Sequence, residues 1–309
     1  MRPGPPGRLD PRAMDVLLSG QLLIAALGLA ALYALVALGL NLIYGTMRLL
    51  NVAHGEILML GGYVAYWSAT SLGIGPLAAI PLAMGLAALL GIACYRLLFR
   101  RVLRRTRMLA RIEANSLLVF FGISVIIQNL TALAFSANER SYVWLDQVVH
   151  FGEVGVTANR LVALVIALAA CGACLAFFRL SIAGLAIRAL IQQRDSAALV
   201  GIDVDRVNLQ VFALGFALAA LAGVLVSMSE QVSPFIGFPF TISAFVIVIL
   251  GGLGNLYGGM LGALILALVE VYGVALTSAS FRSILVYAVF IAILLLRPAG
   301  LLGRKDSTR

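Results

Sequence analysis

Nine apolar stretches divide this chain, and they restrict its fold more than any motif does. Most of them approach the ~20 residues that a helix needs to cross about 30 Å of hydrocarbon. The stretch at 240–253 is too short for a full span, and the first is longer than a span requires. We therefore predict an all-α integral membrane protein, a polytopic bundle of about eight or nine transmembrane helices. The stretches lie near residues 17–44, 49–70, 76–99, 114–136, 160–178, 207–229, 240–253, 258–276 and 283–297.

The distribution of charge agrees with a membrane protein. Only 11% of the residues are charged, which is less than half of the ~25% typical of a soluble domain. Nearly all of the formal net charge of +9 lies in the short segments between the apolar stretches, where basic residues set the orientation in the membrane. A soluble domain and a nucleic-acid-binding protein are therefore excluded, and membrane lipid is the expected surrounding.

The distribution of arginine residues predicts the orientation of the helices in the membrane. Residues 96–111 hold seven arginines and no acid, which marks a cytoplasmic loop at about 96–113 by the positive-inside rule. Counting helices from that loop puts 179–206 inside, and it puts 137–159 and 230–239 outside. With nine spans the N-terminus falls outside. This placement conflicts with the three arginines of the first sixteen residues, which favour the inside.

The sequence predicts one transmembrane domain with a short extension at each terminus. Residues 1–15 are rich in Pro and Gly and predict a flexible N-terminal extension. Residues 16–304 form a single transmembrane domain, and 305–309 form a cytoplasmic tail. A cleaved signal peptide is disfavoured because the apolar stretch from Val16 to Leu40 is much longer than a typical signal core.

A cluster of polar side chains interrupts the apolar pattern between the first two stretches. Ionisable and amide groups are costly in hydrocarbon unless they face protein or a wet cavity, so such a cluster predicts a functional site. The alternative is that the cluster lies at an ordinary membrane boundary, where Arg48 would also be at ease. We assign four of these residues to a substrate path: Asn41, Asn51, His54 and Glu56.

Glycines accompany this cluster and recur near residue 255. Gly61 and Gly62 lie in the second stretch, and glycine lowers helix stability by ~1 kcal/mol, so we predict a broken second helix or a close helix contact. Gly251, Gly252 and Asn255 predict a tight turn. The predicted packing or hinge glycines are Gly45, Gly55, Gly254, Gly258 and Gly262, the last three in a small-xxx-small pattern.

Two further features lie on either side of the predicted turn, the first in a segment predicted to be outside. Residues 233–239 contain two prolines and cannot form a continuous helix, so this segment is a possible gate. Glu270 stands alone within an apolar stretch. We expect it to face the bundle interior and find a hydrogen-bond partner, with a role in the pathway as the alternative.

The inner segment 179–206 mixes charged and apolar residues at helical spacing. It predicts a short helix near 194–200 that ends at Gly201. Leu190, Ala197 and Leu199 would then be partly exposed, which suits docking into a groove on a partner protein. The alternative is an amphipathic loop that lies on lipid headgroups.

Catalytic and cofactor motifs are missing from the sequence. The one lysine, Lys305, has no glycine-rich loop before it, so a nucleotide-binding P-loop is excluded. Hydrolase and zinc-protease motifs are also missing, and Cys94, Cys171 and Cys174 lie in apolar stretches where thiolates are disfavoured. We expect neither an enzyme nor a cofactor or metal site, and transport is the favoured function.

Several motifs together resemble one family of transporters. These are Asn41-Leu-Ile-Tyr44-Gly45, Asn51-Val-Ala-His54-Gly55-Glu56, Arg188-Ala189, Gly251-Gly252-Leu-Gly254-Asn255 and Arg297-Pro298 with Gly300. The chain is similar to the LivH-type permease subunit of branched-chain amino acid ABC importers from about residue 17 to 304. Related permeases for urea and short amides share much of the pattern.

The resemblance implies the ABC importer permease fold in a bacterial inner membrane. It implies three kinds of partner: a second, LivM-like permease, two cytoplasmic ATPase subunits that hydrolyse ATP, and a periplasmic substrate-binding protein. It also implies that the 179–206 loop carries a helix seated in an ATPase groove. We expect that contact at Arg188, Arg194, Asp195, Ala198 and Gly201. A proton-coupled transporter that uses His54, Glu56 and Glu270 is the less favoured alternative.

Overall fold

The computed structural model describes residues 19–100, 109–152, 154–297 and 299–303, and this part of the chain is almost entirely helical. The predicted N-terminal extension, the C-terminal tail and most of the arginine-rich loop lie outside the described residues. The helices are α1 (Gly20–Met47), α2 (His54–Ser71), α3 (Pro76–Cys94), α4 (Leu109–Phe135), α5 (Ala158–Leu180), α6 (Ile182–Gln192), α7 (Arg194–Leu199), α8 (Val204–Ser227), α9 (Gly237–Gly251), α10 (Leu256–Leu276) and α11 (Arg282–Leu296). One antiparallel hairpin pairs β1 (Val148–Phe151) with β2 (Val154–Thr157).

Each of the nine apolar stretches forms one helix, so the prediction of a polytopic helical membrane protein is confirmed. Seven helices among the described residues are long and apolar enough to cross a membrane. They are α1, α3 with the π-helical turn that continues it to Phe99, α4, α5, α8, α10, and α11 with the short turn before it. The other two, α2 and α9, are less apolar or shorter.

Helix α8 lies at the centre of the bundle and packs against α1, α2 and α3, while α10 packs against α1 and α9. Small residues permit these close approaches. A Cβ atom on Gly39 of α1 would lie 2.8 Å from the carbonyl oxygen of Gly215 in α8, and one on Gly215 would lie 2.9 Å from that of Gly39. The outer layer differs: α4 and α11 present many exposed apolar side chains, among them Leu133 and Leu295.

The predicted break falls before the second helix and not inside it. Helix α1 ends at Arg48, whose φ of 56° is left-handed and whose N–H donates to the Tyr44 carbonyl over 2.7 Å. Helix α2 then runs unbroken through Gly61 and Gly62. A methyl group on Gly61 would overlap the backbone of Ala220 in α8, so this glycine serves close packing. Of the two predictions made for this glycine, the close helix contact is therefore the one observed.

Arg140 joins the two connections, 136–147 and 228–236, that the arginine pattern predicts to lie outside. Its backbone pairs with that of Val232, and its guanidinium lies 5.4 Å from the ring centre of Trp67. In the predicted gate segment, Pro234 precedes α9 and Pro239 lies in its first turn, where proline removes no helical hydrogen bond. The prolines therefore determine where α9 begins.

Candidate functional site

The first predicted path residue, Asn41, fixes the turn that joins α9 to α10. Its side chain is fully buried in α1. The amide oxygen accepts a hydrogen bond from the N–H of Gly254, and the amide nitrogen donates to the carbonyl of Asn255, both over 2.7 Å. Both ends of the amide are therefore used, and Asn41 acts on the α9–α10 connection.

That connection is the tight turn predicted from its glycines. Gly252 and Gly254 have φ values of 103° and 81°, which favour glycine strongly. The side chain of Asn255 caps α10 by accepting from the N–H of Gly258 over 3.0 Å. It also donates to the carbonyl of Leu302 over 2.8 Å, which attaches the chain's C-terminal segment to the turn.

His54 and Glu56 lie in the first turn of α2, and both side chains are fully buried. His54 Nε2 lies 3.1 Å from the Val36 carbonyl, which only accepts, so this nitrogen carries the proton. The Oε1 atom of Glu56 accepts from the Ser124 hydroxyl over 3.1 Å. Both residues thus join the start of α2 to neighbouring helices.

Each of these residues, and Asn51 beside them, keeps unused hydrogen-bonding capacity. Within the described part of the chain, no partner contacts His54 Nδ1, Glu56 Oε2 or either amide atom of Asn51. Asn51 is fully buried in the connection that leads into α2. Unpaired buried polar atoms cost about 1–3 kcal/mol each, and native proteins hold few of them. Their concentration within six residues makes this segment the candidate functional site.

The start of α2 is docked directly on the start of α9. The N–H of Gly55 donates to the Thr241 hydroxyl over 2.9 Å, and that hydroxyl donates to the Val52 carbonyl over 3.2 Å. A methyl group on Gly55 would overlap the Gly237 carbonyl. A Cβ atom on Gly237 would lie 2.8 Å from Glu56 Oε2. The unpaired carboxylate oxygen therefore faces this backbone contact.

The remaining predicted glycines lie at backbone contacts. A Cβ atom on Gly45 would lie 3.3 Å from Gly254 Cα, where α1 meets the α9–α10 turn. One on Gly262 would lie 2.7 Å from the Ile247 carbonyl, and one on Gly258 would overlap the Gly251 carbonyl. These contacts join α10 to α9.

The predicted cytoplasmic helix is present as α7, and Gly201 follows it with a φ of 89°. Leu199 and the adjoining Val200 are 88% and 78% exposed. The expectation of exposure was wrong for Leu190 and Ala197, which are 2% and 3% exposed. Leu190 is buried because α6 is amphipathic and packs against α1 and α8.

The residues predicted at the ATPase contact lie on α7 and close to it in the chain. Asp195 lies in its first turn, where a negative charge suits the helix dipole. Asp195 and Ala198 are exposed, and Arg194 and Arg188 are half-buried. The Arg188 Nε atom is buried without a hydrogen-bond partner among the described residues.

Glu270 has partners that the sequence did not identify. It is buried, forms an ion pair with Arg282, and accepts a hydrogen bond from the Tyr33 hydroxyl over 2.7 Å. The Ser243 hydroxyl donates to Tyr33 over 3.3 Å. The expectation of a partner inside the bundle is confirmed, and the network joins α1, α9, α10 and α11.

The fold and these buried sites define a multi-pass membrane permease. The chain belongs to the family described as the permease component of branched-chain amino acid transport systems, whose profile matches residues 22–294. The resemblance drawn from the sequence motifs is thereby confirmed, and the protein is a multi-pass inner-membrane protein.

Individual relatives agree with the family. The chain is 33% identical over 293 residues to the high-affinity branched-chain amino acid transport permease LivH of Escherichia coli strain K12, covering 90% of this chain and 93% of the relative. It is 31% identical over 302 residues to BraD of Pseudomonas aeruginosa, covering 93% and 96%. A probable LivH of Methanocaldococcus jannaschii is 28% identical over 283 residues, covering 88% and 89%. No solved structure matches the chain significantly.

Proposed function

We propose that this chain forms the transmembrane path for leucine, isoleucine and valine in an ATP-binding cassette importer. The observation that carries the proposal is the family match from residue 22 to 294. Relatives that cover nine-tenths of the chain bear names of high-affinity branched-chain amino acid permeases. The apolar interior of the bundle suits solutes with aliphatic side chains.

The partners of the proposed importer are a LivM-like permease, two cytoplasmic ATPase subunits and a periplasmic binding protein. The sequence has no P-loop, so ATP hydrolysis is assigned to separate subunits. Helix α7 with the exposed Leu199 and Val200 is the proposed contact with an ATPase groove. The exposed apolar faces of α4 and α11 are available to lipid and to the second permease.

Movement would pass from α7 to the buried site through packed helices. Helix α7 contacts α6 and α8, and α8 packs along α1 and α2. The connection at 48–53 lies between α1 and α2 and is the proposed hinge, because it breaks the helical hydrogen-bond ladder. Motion of the ATPases would then shift the start of α2 relative to α9.

The unpaired atoms of Asn51, His54 and Glu56 support a path role for this segment. If the contact between Gly55 and Gly237 opens, these atoms gain access to water or substrate, which offsets the loss of packing. In this proposal Asn41 holds the α9–α10 turn in place, since both ends of its amide are already bonded.

Uptake of labelled leucine by cells that carry the complete importer tests this function. Deletion of this chain is expected to abolish uptake, and replacement of the P-loop lysine in the ATPase partner is expected to do the same. A protonophore is expected to leave uptake in place as long as ATP is maintained. Uptake that stops with the protonophore and ignores the lysine replacement would contradict the proposal. Uptake of urea or acetamide without leucine would contradict its substrate.

A further inference from the structure

A cavity of about 900 Å³ opens at the end of the bundle that the arginine pattern predicts to be outside. We call it the outer cavity. It lies between the outer ends of α1, α5, α8, α9, α10 and α11, with the hairpin along its edge. The volume lies within the range of small-ligand sites and exceeds what one amino acid needs. None of the four predicted path residues lines it.

Four charged side chains line the outer cavity: Arg160, Glu230, Glu270 and Arg282. Two are positive and two are negative, so their formal charges cancel. Glu270 and Arg282 neutralise each other as an ion pair. Arg160 and Glu230 are exposed at the ends of α5 and α8, and within the described residues neither forms an ion pair. The cavity therefore offers one cation and one anion outside that ion pair, and the anion, Glu230, lies within electrostatic range of Arg282.

The rest of the wall is mostly apolar. Leu29 and Leu32 of α1, Leu164 of α5, Phe240 of α9 and Val274 of α10 all face the cavity. Such a surface favours an aliphatic side chain by about 25 cal/mol for each Å² removed from water. A zwitterion loses hydration in a cleft of this kind, and side chains of opposite charge in the wall offset the loss.

We propose that the outer cavity is a binding site for the zwitterionic form of an aliphatic amino acid on its way to the membrane path. Arg160 binds the carboxylate, Glu230 binds the ammonium group, and the leucines of α1 contact the aliphatic side chain. The Glu270–Arg282 pair forms an electrically neutral floor. This inference rests on the proposed function and adds the residues that recognise the substrate's head group.

The charges are tested by leucine uptake in the complete importer at increasing concentrations of the leucine-loaded binding protein. Arg160→Gln and Glu230→Gln are each expected to lower the maximal uptake rate about tenfold, because each removes one charge-assisted hydrogen bond to the substrate. Arg160→Lys keeps the charge and is expected to retain most of the rate. Glu139→Gln removes an exposed acid outside the cavity and is the matched control.

The shape of the cavity is tested separately with glycine variants. Gly28 lines the outer cavity, and a Cβ atom there meets nothing within 4 Å. Gly28→Phe is therefore expected to place a ring in the cavity beside Leu29 and Leu32 and obstruct the aliphatic part of the site, which should lower maximal leucine uptake about tenfold. Gly85→Phe is the matched control, because Gly85 on α3 is equally free of contacts and lies outside the cavity.

The outcomes separate this inference from the proposed function. If unmodified importer does not take up leucine, the proposed function fails. If it does, and the Arg160, Glu230 and Gly28 variants match it, the outer cavity does not bind substrate and only the inference fails. If the charge variants raise the concentration of binding protein needed for half-maximal uptake and leave the maximal rate unchanged, these residues dock the binding protein and the inference is also overturned.

Discussion

Asn41 in α1 and Asn255 at the start of α10 are 214 residues apart, and the side chain of the first donates to the backbone carbonyl of the second over 2.7 Å. The same Asn41 amide accepts from the N–H of Gly254. The Asn41 side chain thus satisfies one backbone donor and one backbone acceptor of the turn, as a neighbouring strand would in a β-bridge. One residue on the central side of α1 therefore determines the position of the turn that joins α9 to α10.

Replacement of Asn41 is expected to destabilise the bundle. Asn41→Ala leaves the Gly254 N–H and the Asn255 carbonyl without partners in a buried position, and each unpaired group costs about 1–3 kcal/mol. The purified variant should show a lower free energy of unfolding in detergent by roughly 2–4 kcal/mol. Asn129→Ala is the control, because the Asn129 amide bonds only within its own exposed helix. Equal stability of the two variants would show that the Asn41 bonds contribute little.

Gly55 should tolerate no side chain. In Gly55→Ala the new methyl group would overlap the Gly237 carbonyl and the Thr241 hydroxyl, so α2 and α9 must separate. Overpacking of this kind typically costs about 1–3 kcal/mol. We expect a lower melting temperature and a loss of leucine uptake.

Gly122→Ala provides the comparison for Gly55→Ala. A Cβ atom on Gly122 of α4 meets nothing within 4 Å, and alanine favours a helix by ~1 kcal/mol over glycine. This variant should therefore keep its melting temperature or exceed that of the unmodified protein. If both variants melted alike, the close contact between α2 and α9 would have no energetic importance.

Loss of the apolar surface on α7 should weaken the contact with the ATPase subunits and lower substrate-stimulated ATP hydrolysis. Leu199→Ser removes a side chain that is 88% exposed, so the stability of the isolated chain should change by less than ~0.5 kcal/mol. Binding to the ATPases should weaken because an apolar anchor is lost. The measurement is co-purification with the ATPase subunits together with substrate-stimulated ATP hydrolysis.

Ile182→Ser is the matched control for α7. Ile182 is 86% exposed at the start of α6, on the same side of the bundle. It should leave co-purification and ATP hydrolysis unchanged. If Leu199→Ser also kept co-purification and substrate-stimulated ATP hydrolysis unchanged, α7 would be excluded as the apolar anchor of the ATPase contact.

The sequence predicted the helices well and their packing poorly. Apolar stretches bounded by Gly, Pro and Arg gave every membrane helix, because backbone groups in hydrocarbon must be satisfied within a helix. They did not show that α8 is central and α11 peripheral, since lipid and protein neighbours select similar side chains. The burial of Leu190 was missed for a related reason: an apolar face in a cytoplasmic loop suits a partner and the parent bundle equally.

The buried polar site was predicted in position but not in its contacts. The cluster around His54 stood out because polar residues are rare in apolar stretches. The partners of Asn41 and His54 are backbone groups, which carry no signature in the sequence. Tyr33 and Glu270 are 237 residues apart, and no spacing rule connects them.

The Glu270–Arg282 pair should respond unequally to removal of its two members. Glu270 is 2% exposed, whereas the side chain of Arg282 is 47% exposed. Arg282→Ala leaves a buried carboxylate with Tyr33 as its remaining hydrogen-bond donor, while Glu270→Ala leaves an arginine that reaches water. Loss of one member of a fully buried pair costs about 3–5 kcal/mol, and we expect Arg282→Ala to approach that range and Glu270→Ala to cost clearly less. The free energies of unfolding of both single variants and the double variant in detergent test this expectation. The double variant should be more stable than Arg282→Ala, because the unpaired charge is gone. Strictly additive losses of stability would show that the two side chains do not interact.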